Sequence, residues 1–221
     1  MRSRRAQPEV ETEDCSAVHR FERKRTMTKL KLFIFDVGGV LCDGTSVANA
    51  IAEYLSLSRE EFLTLARFAG LRELQTGKIS SVQFWLNFSK ISGRRIDEDL
   101  WVKFFRPVLR QEVADLIKRL RAKYRVVAGT NTIEPHYQIH IAQGHYSVFD
   151  RVYASHQIGL VKPDVEFFLY ILENERVEPE ETIFVDDTPE NVAAAQRIGI
   201  RSVLFVNVQD LAERLSSLSE E

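Results

Sequence analysis

The sequence predicts an α/β fold, with a Rossmann-like parallel sheet and a small inserted α-helical cap. In the second half of the chain, short apolar runs alternate with amphipathic helical segments, which is typical of parallel strands joined by crossover helices. The region between the first and second of these strands shows helical patterns without a convincing strand. The chain has 221 residues, 44% of them hydrophobic, which suits one such domain with an insertion.

Three parts of the chain differ in pattern. Residues 1–28 mix basic and acidic side chains without apolar periodicity, and we expect them to form a disordered N-terminal extension. Residues 29–44 and 107–221 contain the strands and form the predicted core domain. Residues 45–106 form the predicted cap.

Composition argues against several kinds of partner. The formal net charge of -2 gives no reason to expect binding to nucleic acid or to an acidic membrane surface. No apolar run approaches the roughly 18 residues of a membrane span. Because Cys15 and Cys42 are the only cysteines, a disulfide framework is not expected, and a reducing, cytoplasmic setting fits best. We expect a monomer or homodimer that acts on a small molecule.

The first predicted strand ends in a carboxylate. Residues 31–41 read KLFIFDVGGVL, an apolar run typical of a buried parallel strand that stops at Asp36. Gly38 and Gly39 allow a sharp turn and a close approach of the backbone to a ligand, so we consider both as substrate-binding residues. Ligands of open α/β sheets bind at the carboxyl ends of the strands, which makes Asp36 the first candidate for chemistry.

The predicted cap consists of short helices. Apolar residues recur at helical spacing from Val47 to Leu55. A capping box at Ser58 and Glu61 begins the next helix, and the same start signal recurs at Ser80. We interpret the many aromatic residues of this region as the core of a helical bundle, and we expect residues 47–54 and 71–77 to face the site.

The rest of the chain alternates between helices and strands. Helices are predicted at 111–123, 135–143, 164–175, 189–198 and 209–218, and strands at 124–129, 151–154, 182–185 and 202–206. Thr188 followed by Pro189 indicates a hydroxyl-capped helix start.

Three predicted strands end in polar side chains of different kinds. These side chains are Asp36, Thr130, Asn131, Asp186 and Asp187. Lys162 lies in a loop that we expect at the same sheet edge. Carboxylates gathered closely repel each other unless a cation intervenes, and oxygen ligands favour Mg²⁺. A lysine, a hydroxyl and an amide suit a dianionic phosphoryl group, so the set predicts attack of a carboxylate on phosphorus, followed by hydrolysis of the aspartyl-phosphate.

Four stretches, in chain order, resemble the motifs of the haloacid dehalogenase superfamily. They are FDVGGVL at 35–41, AGTNT at 128–132, GLVKPD at 159–164 and FVDDTPEN at 184–191. The helical insertion resembles the small cap that some members place between the first two motifs. Among subgroups, the chain is similar to sugar-phosphate phosphatases of the glucose-1-phosphate phosphatase type.

The resemblance implies a role for each candidate residue. Asp36 would be the nucleophile. The residues that would bind Mg²⁺ are Asp36, Gly38 through its carbonyl, Asp187 and, directly or through water, Asp186. The residues that would hold the phosphoryl group, the adjoining backbone and the substrate are Thr130, Lys162 and Asn131. The implied activity is Mg²⁺-dependent hydrolysis of a small phosphorylated metabolite, such as a sugar phosphate.

One position departs from the family pattern. Phosphatases of the superfamily usually carry a second Asp two residues after the nucleophile, as general acid and base, and here that residue is Gly38. General acid–base catalysis typically contributes about 10²–10⁴ in rate. We therefore expect slow turnover or a restriction to good leaving groups, such as acyl or anomeric phosphates. Asp43 and His136 are candidates for replacing the acid, although we interpret them as a solvated loop residue and a helix-start residue.

Other functions within the same fold stay open. Dehalogenases also lack the second Asp, but they use no metal, which disagrees with the Asp186-Asp187 pair. Phosphonate hydrolases use a cap lysine as a Schiff base, for which Lys78 or Lys90 is available. A non-catalytic binding protein is the third alternative.

Two further groups carry no predicted role. His136 and His140 have the spacing of some zinc pairs, but no HExxH motif accompanies them. We interpret both as surface or satisfied histidines and Cys42 as a passive thiol.

Overall fold

A parallel sheet forms the centre of the molecule, for which a computed structural model describes residues 29–220. The strands are β1 (Leu32–Phe35), β2 (Cys42–Asp43), β3 (Val108–Leu109), β4 (Arg125–Thr130), β5 (Arg151–Ala154), β6 (Thr182–Asp186) and β7 (Arg201–Leu204). Five of them form the sheet in the order β5-β4-β1-β6-β7, and β2 and β3 form a separate antiparallel pair. The predicted α/β fold is confirmed. The prediction for residues 1–28 lies outside the described residues.

Eleven helices surround the sheet within residues 29–220. They are α1 (Ala48–Tyr54), α2 (Arg59–Ala69), α3 (Leu71–Gln75), α4 (Ser81–Ser92), α5 (Leu100–Phe104), α6 (Gln111–Arg121), α7 (Glu134–Ala142), α8 (Ser155–Ile158), α9 (Val165–Glu175), α10 (Pro189–Arg197) and α11 (Val208–Glu220). Short 3₁₀ helices cover His145–Val148 and Pro179–Glu181. Helices α1–α5 occupy the region for which the sequence predicts a cap.

The register of the central strands determines where their carboxyl ends lie. Phe35 of β1 pairs with Ala128 of β4 on one side and with Val185 of β6 on the other. Along the chain, β4 and β5 are added on one side of β1, and β6 and β7 are then added on the other side. The strand order therefore reverses between β1 and β6. A ligand site is expected outside the carboxyl ends at such a point.

Hydrophobic packing occurs in three clusters. Alternate residues of β1 point to opposite faces of the sheet. Phe33 belongs to the cluster that includes residues of α6 and α11, and Ile34 belongs to the cluster that includes residues of α9 and α10. The third cluster belongs to α1–α5 and is rich in aromatic side chains, including Phe62 and Trp101. This confirms the interpretation of the aromatic residues as core.

Contacts between the α1–α5 region and the core fix their arrangement. Arg72 of α3 forms an ion pair with Asp164, which precedes α9. The His136 ring stacks on Phe105 with 3.7 Å between ring centroids, and its Nε2 lies 3.0 Å from the Trp101 carbonyl oxygen. His136 lies in the first turn of α7, as predicted, but it is a buried packing residue with a polar partner and is not solvated.

Several local predictions need adjustment. The Ser58–Glu61 capping box is present, but the Thr188 hydroxyl makes no capping bond and instead donates to Asp187 Oδ1 at 3.4 Å. The β2–β3 pair was not predicted, because two-residue strands carry no periodic signal. No helix within residues 29–220 is long and apolar enough to cross a membrane.

Candidate active site

Asp36 continues directly from β1 and is held through one carboxylate oxygen. Its backbone N–H donates to the Val185 carbonyl at 2.8 Å. Its Oδ1 accepts a hydrogen bond from the Val37 N–H at 2.7 Å and pairs with Lys162 Nζ at 2.9 Å. Oδ2 accepts no hydrogen bond from the residues that the structure describes. The carboxylate is thus fixed in orientation with one oxygen available for bonding or attack.

Lys162 connects two carboxylates in the interior. Its Nζ lies 2.9 Å from Asp36 Oδ1 and 2.6 Å from Asp186 Oδ2, and its side chain is only 1% exposed. Burial disfavours the charged ammonium, but the Asp36 and Asp186 carboxylates outweigh burial and raise the pKa of Lys162. The site therefore contains a permanent positive charge beside the proposed nucleophile.

The Asn131 side chain positions Lys162 by binding the backbone of the lysine. The Asn131 side-chain amide donates to the Lys162 carbonyl at 2.8 Å and accepts from the Lys162 N–H at 2.8 Å. Beside it, Thr132 and Ser155 are also doubly linked, since Ser155 Oγ accepts from the Thr132 N–H and donates to the Thr132 carbonyl, both at 2.9 Å. The loop after β4 is thereby tied to the Lys162 loop and to the end of β5. Thr130 is the buried last residue of β4.

Three carboxylates share the sheet edge. Oxygens of Asp36, Asp186 and Asp187 all lie within 4.8 Å of one another. Asp186 is fully buried and accepts hydrogen bonds from the Thr188 N–H at 2.9 Å and from Asn191 Nδ2 at 3.0 Å. Burial, with the Asp186 charge adding to it and Lys162 opposing it, raises the pKa of Asp36 to about 7. A cation is the natural means of keeping these acids ionised together.

The donor set fits a hard divalent cation. All three side chains supply oxygen, and Mg²⁺ takes oxygen ligands and keeps several waters. Asp36 Oδ2 accepts no hydrogen bond from residues 29–220, and Asp187 is exposed enough for a metal to reach. The Gly38 carbonyl as a further ligand stays a prediction.

Glycine is required at one position of the Asp36 turn. Gly39 has φ +76°, and a Cβ there would lie 1.9 Å from Asp187 Oδ2. No side chain fits, because the Asp187 carboxylate occupies that space. Arg110 Nη1 donates to the Gly39 carbonyl at 2.5 Å and so holds the turn from the opposite direction.

Neither candidate for the missing acid is suited to that role. Arg110 Nε donates to Asp43 Oδ2 at 2.8 Å, and this hydrogen bond lowers the pKa of Asp43, so the carboxyl is ionised near neutral pH. Burial lowers the pKa of His136 to about 4, so its imidazole is neutral and holds no proton to donate from a charged form. Instead, Thr45 Oγ1 lies 3.0 Å from the position that a Cβ at Gly38 would take.

Several residues of the site were not singled out from the sequence. Asn191 lies within the fourth quoted motif, and its helix position five residues after Asp186 is a usable signal. Arg110, Thr45 and Ser155 reach the site from segments remote in sequence, and a single sequence offers no pattern that finds them.

The fold and this edge of the sheet define the class of protein, an α/β enzyme with a polar site at the strand-order reversal. A family model described as haloacid dehalogenase-like hydrolase matches residues 30–199. The chain therefore belongs to the haloacid dehalogenase-like hydrolase family, as the sequence motifs indicated.

Known relatives give the family match further detail. The chain is 28% identical over 203 residues to D-ribitol-5-phosphate phosphatase of Bacteroides thetaiotaomicron, across 85% of this chain and 97% of that protein. It is 32% identical over 95 residues to drimenol cyclase drtB of Aspergillus calidoustus, across 42% of this chain but only 18% of that protein. The fold is similar to that of a HAD family enzyme from Bacteroides thetaiotaomicron solved with magnesium and inorganic phosphate, with a TM-score of 0.64, 24% identity, and coverage of 79% of this chain and 93% of that one.

Proposed function

We propose that this protein is a Mg²⁺-dependent phosphomonoester hydrolase that acts on a small phosphorylated metabolite through an aspartyl-phosphate intermediate. The observation that carries the proposal is the fixed Asp36 carboxylate, anchored through Oδ1 with Oδ2 available, beside Lys162 and two further carboxylates. The relative named D-ribitol-5-phosphate phosphatase supports a sugar or polyol phosphate as substrate class.

Each residue has a defined part in this mechanism. One carboxylate oxygen of Asp36 attacks phosphorus, the bond from phosphorus to the leaving oxygen breaks, that oxygen takes a proton from water, and a phosphoryl group is left on Asp36. Lys162 Nζ and the Thr130 hydroxyl hold the phosphoryl oxygens as charge shifts onto them. Water then attacks phosphorus and releases phosphate and the free carboxylate. Mg²⁺ held by Asp36, Asp187, the Gly38 carbonyl and, directly or through water, Asp186 would neutralise phosphoryl charge.

The proposed cap, helices α1–α5, contacts the leaving group of the substrate in this proposal. Helices α1–α5 are joined to the core near the site by the Arg72–Asp164 ion pair, and in such an arrangement the insertion chooses the leaving group. Lys78 and Lys90 are both exposed, which gives no support to a buried Schiff-base lysine. We further propose a cytoplasmic monomer or homodimer.

A panel of phosphate esters tests the proposal. Phosphate release would be measured with Mg²⁺ and with EDTA, on sugar 1-phosphates, polyol and sugar 5- and 6-phosphates, and acetyl phosphate. We expect release only with Mg²⁺, fastest from acetyl phosphate and anomeric phosphates. If no ester releases phosphate, or if release persists in EDTA, the proposed function is wrong; cleavage of phosphonoacetaldehyde would then support the phosphonate alternative.

The missing acid gives a prediction about Gly38. Gly38 has no positive φ, and the group next to its Cβ position is the rotatable Thr45 hydroxyl, so a side chain is compatible with the backbone. We expect Gly38→Asp to raise turnover of an alkyl phosphate by about 10-fold or more, because a general acid contributes about 10²–10⁴. Steady-state rates on a polyol phosphate and on acetyl phosphate measure this, and the gain should be small for acetyl phosphate.

Gly38→Asn is the matched control, since it has the same shape but no acid. It should show no gain on either substrate. In a Thr45→Ala background the gain from Gly38→Asp should be larger, because space for the carboxyl is cleared. Equal rates for the Asp and Asn variants would contradict the acid role assigned to this position.

A further inference from the structure

Three metal-binding side chains meet in the interior apart from the carboxylates. Cys42 Sγ lies 3.5 Å from His145 Nδ1, which in turn lies 2.9 Å from His140 Nδ1. One donor atom of each residue falls within 4.8 Å of the other two, and all three residues are buried. We infer that Cys42, His140 and His145 form a second metal site, which binds a Zn²⁺-like transition-metal cation.

The backbone brings these residues together from three elements. Cys42 lies in β2, just after the Gly38-Gly39 turn, and His140 lies in the last turn of α7. Gly144 then adopts a left-handed conformation with φ +72° and begins the 3₁₀ helix at His145. This reversal aims the His145 imidazole back at His140, so the cluster is built by the chain path.

The 2.9 Å contact between His140 Nδ1 and His145 Nδ1 has the length of an ordinary hydrogen bond, but the same His145 nitrogen also faces the Cys42 thiol. An imidazole nitrogen carries either one proton or one lone pair. His145 Nδ1 faces both His140 Nδ1 and Cys42 Sγ, and it cannot form a good hydrogen bond to each. A single cation between the three atoms would use all three lone pairs at once.

The separations are close to those of tetrahedral zinc. Zn–N bonds of about 2.0–2.1 Å and a Zn–S bond of about 2.3 Å place two nitrogens about 3.3 Å apart and a nitrogen and sulfur about 3.6 Å apart. The observed separations are 2.9 and 3.5 Å. Small side-chain rotations therefore suffice to admit the ion.

The ligand types separate this site from the carboxylate cluster. A thiolate and two imidazoles suit Zn²⁺, whereas Mg²⁺ prefers oxygen ligands.

Cobalt spectroscopy on the full chain tests the site. In a Cys15→Ser background, Co²⁺ should produce a thiolate-to-cobalt charge-transfer band that saturates at one ion per chain, even in excess Mg²⁺. Zn²⁺ should abolish the band by displacement and raise the melting temperature, because it binds the folded state alone. Cys42→Ser should lose the band, and His145→Gln should weaken Co²⁺ binding at least about 10-fold.

His156→Gln is the matched histidine control, since His156 pairs with Glu134 outside the cluster, and it should keep the band. Absence of the band in the Cys15→Ser protein would overturn the inference, as would a band that survives Cys42→Ser. If Cys42→Ser does not fold, two measurements still test the site. They are the Co²⁺ stoichiometry of the Cys15→Ser protein and the loss of Co²⁺ affinity in His145→Gln. The outcome is independent of phosphatase activity, because the readout is spectroscopic.

Discussion

Asp36→Asn is expected to lower Mg²⁺-dependent phosphate release by at least about 10³-fold, since an amide is not a nucleophile and the nucleophile's effect is not replaced by the rest of a site. The fold should survive. The Asn Oδ1 can still accept from the Val37 N–H and from Lys162, and Lys162 keeps its partner Asp186 at 2.6 Å. Steady-state phosphate release and a thermal melt on the same preparation measure both effects.

Asp115→Asn is the matched control for this substitution. Asp115 lies on α6, where it pairs with Lys118 on the surface, and its loss should change turnover less than about twofold, because surface pairs contribute little. An Asp36→Asn protein that melts normally and retains more than a tenth of the activity would show that another group attacks phosphorus.

The central strands and their polar ends were predictable because they are local. An apolar run that stops at a carboxylate marks the end of a buried strand, and the structure has strand ends at Asp36 and Asp186 as predicted. The catalytic roles of these residues stay predictions. The shared edge then followed from parallel pairing, without any knowledge of register. The observed register places Phe35 beside both Ala128 and Val185, which brings the two strand ends level.

What the sequence did not predict depends on contacts between distant segments. Arg110, which follows the insertion in the sequence, donates a hydrogen bond to the Gly39 carbonyl. The sequence around it gives no sign that its basic side chain differs from that of a solvated surface residue. The sequence spacing suggested His136, four residues earlier, as the partner of His140. The observed partner is His145, which lies beyond the Gly144 turn. Helical spacing was the wrong criterion, since the second histidine lies beyond the end of the helix.

Lys162→Met is the second substitution with a large expected effect. It removes the cation between Asp36 and Asp186 while keeping an unbranched side chain of similar length. Breaking a buried ion pair by removing one partner costs about 3–5 kcal/mol, and we expect the free energy of unfolding to fall by this amount in EDTA. Phosphate release should also fall by about 10² or more, because a donor to the phosphoryl oxygens is lost.

Lys78→Met controls for the loss of a lysine, since Lys78 is exposed on the proposed cap. Its denaturant midpoint and turnover should match those of the wild type. A Lys162→Met protein with a wild-type midpoint would contradict the view that this lysine compensates the buried carboxylates.

The loss of stability in Lys162→Met should depend on pH in a defined direction. Burial and Asp186 already raise the pKa of Asp36 to about 7 against the opposing effect of Lys162, so removing the lysine raises it further. A carboxyl with a raised folded-state pKa holds its proton more tightly when folded, and its contribution to stability is lost as pH rises. The stability difference between the variant and the wild type should therefore be constant below about pH 7 and grow as pH rises above 7. Mg²⁺ should reverse part of the divergence, because a divalent cation replaces the missing charge between the same carboxylates. A difference that stays constant as pH rises above 7 would mean that Lys162 does not lower the pKa of Asp36.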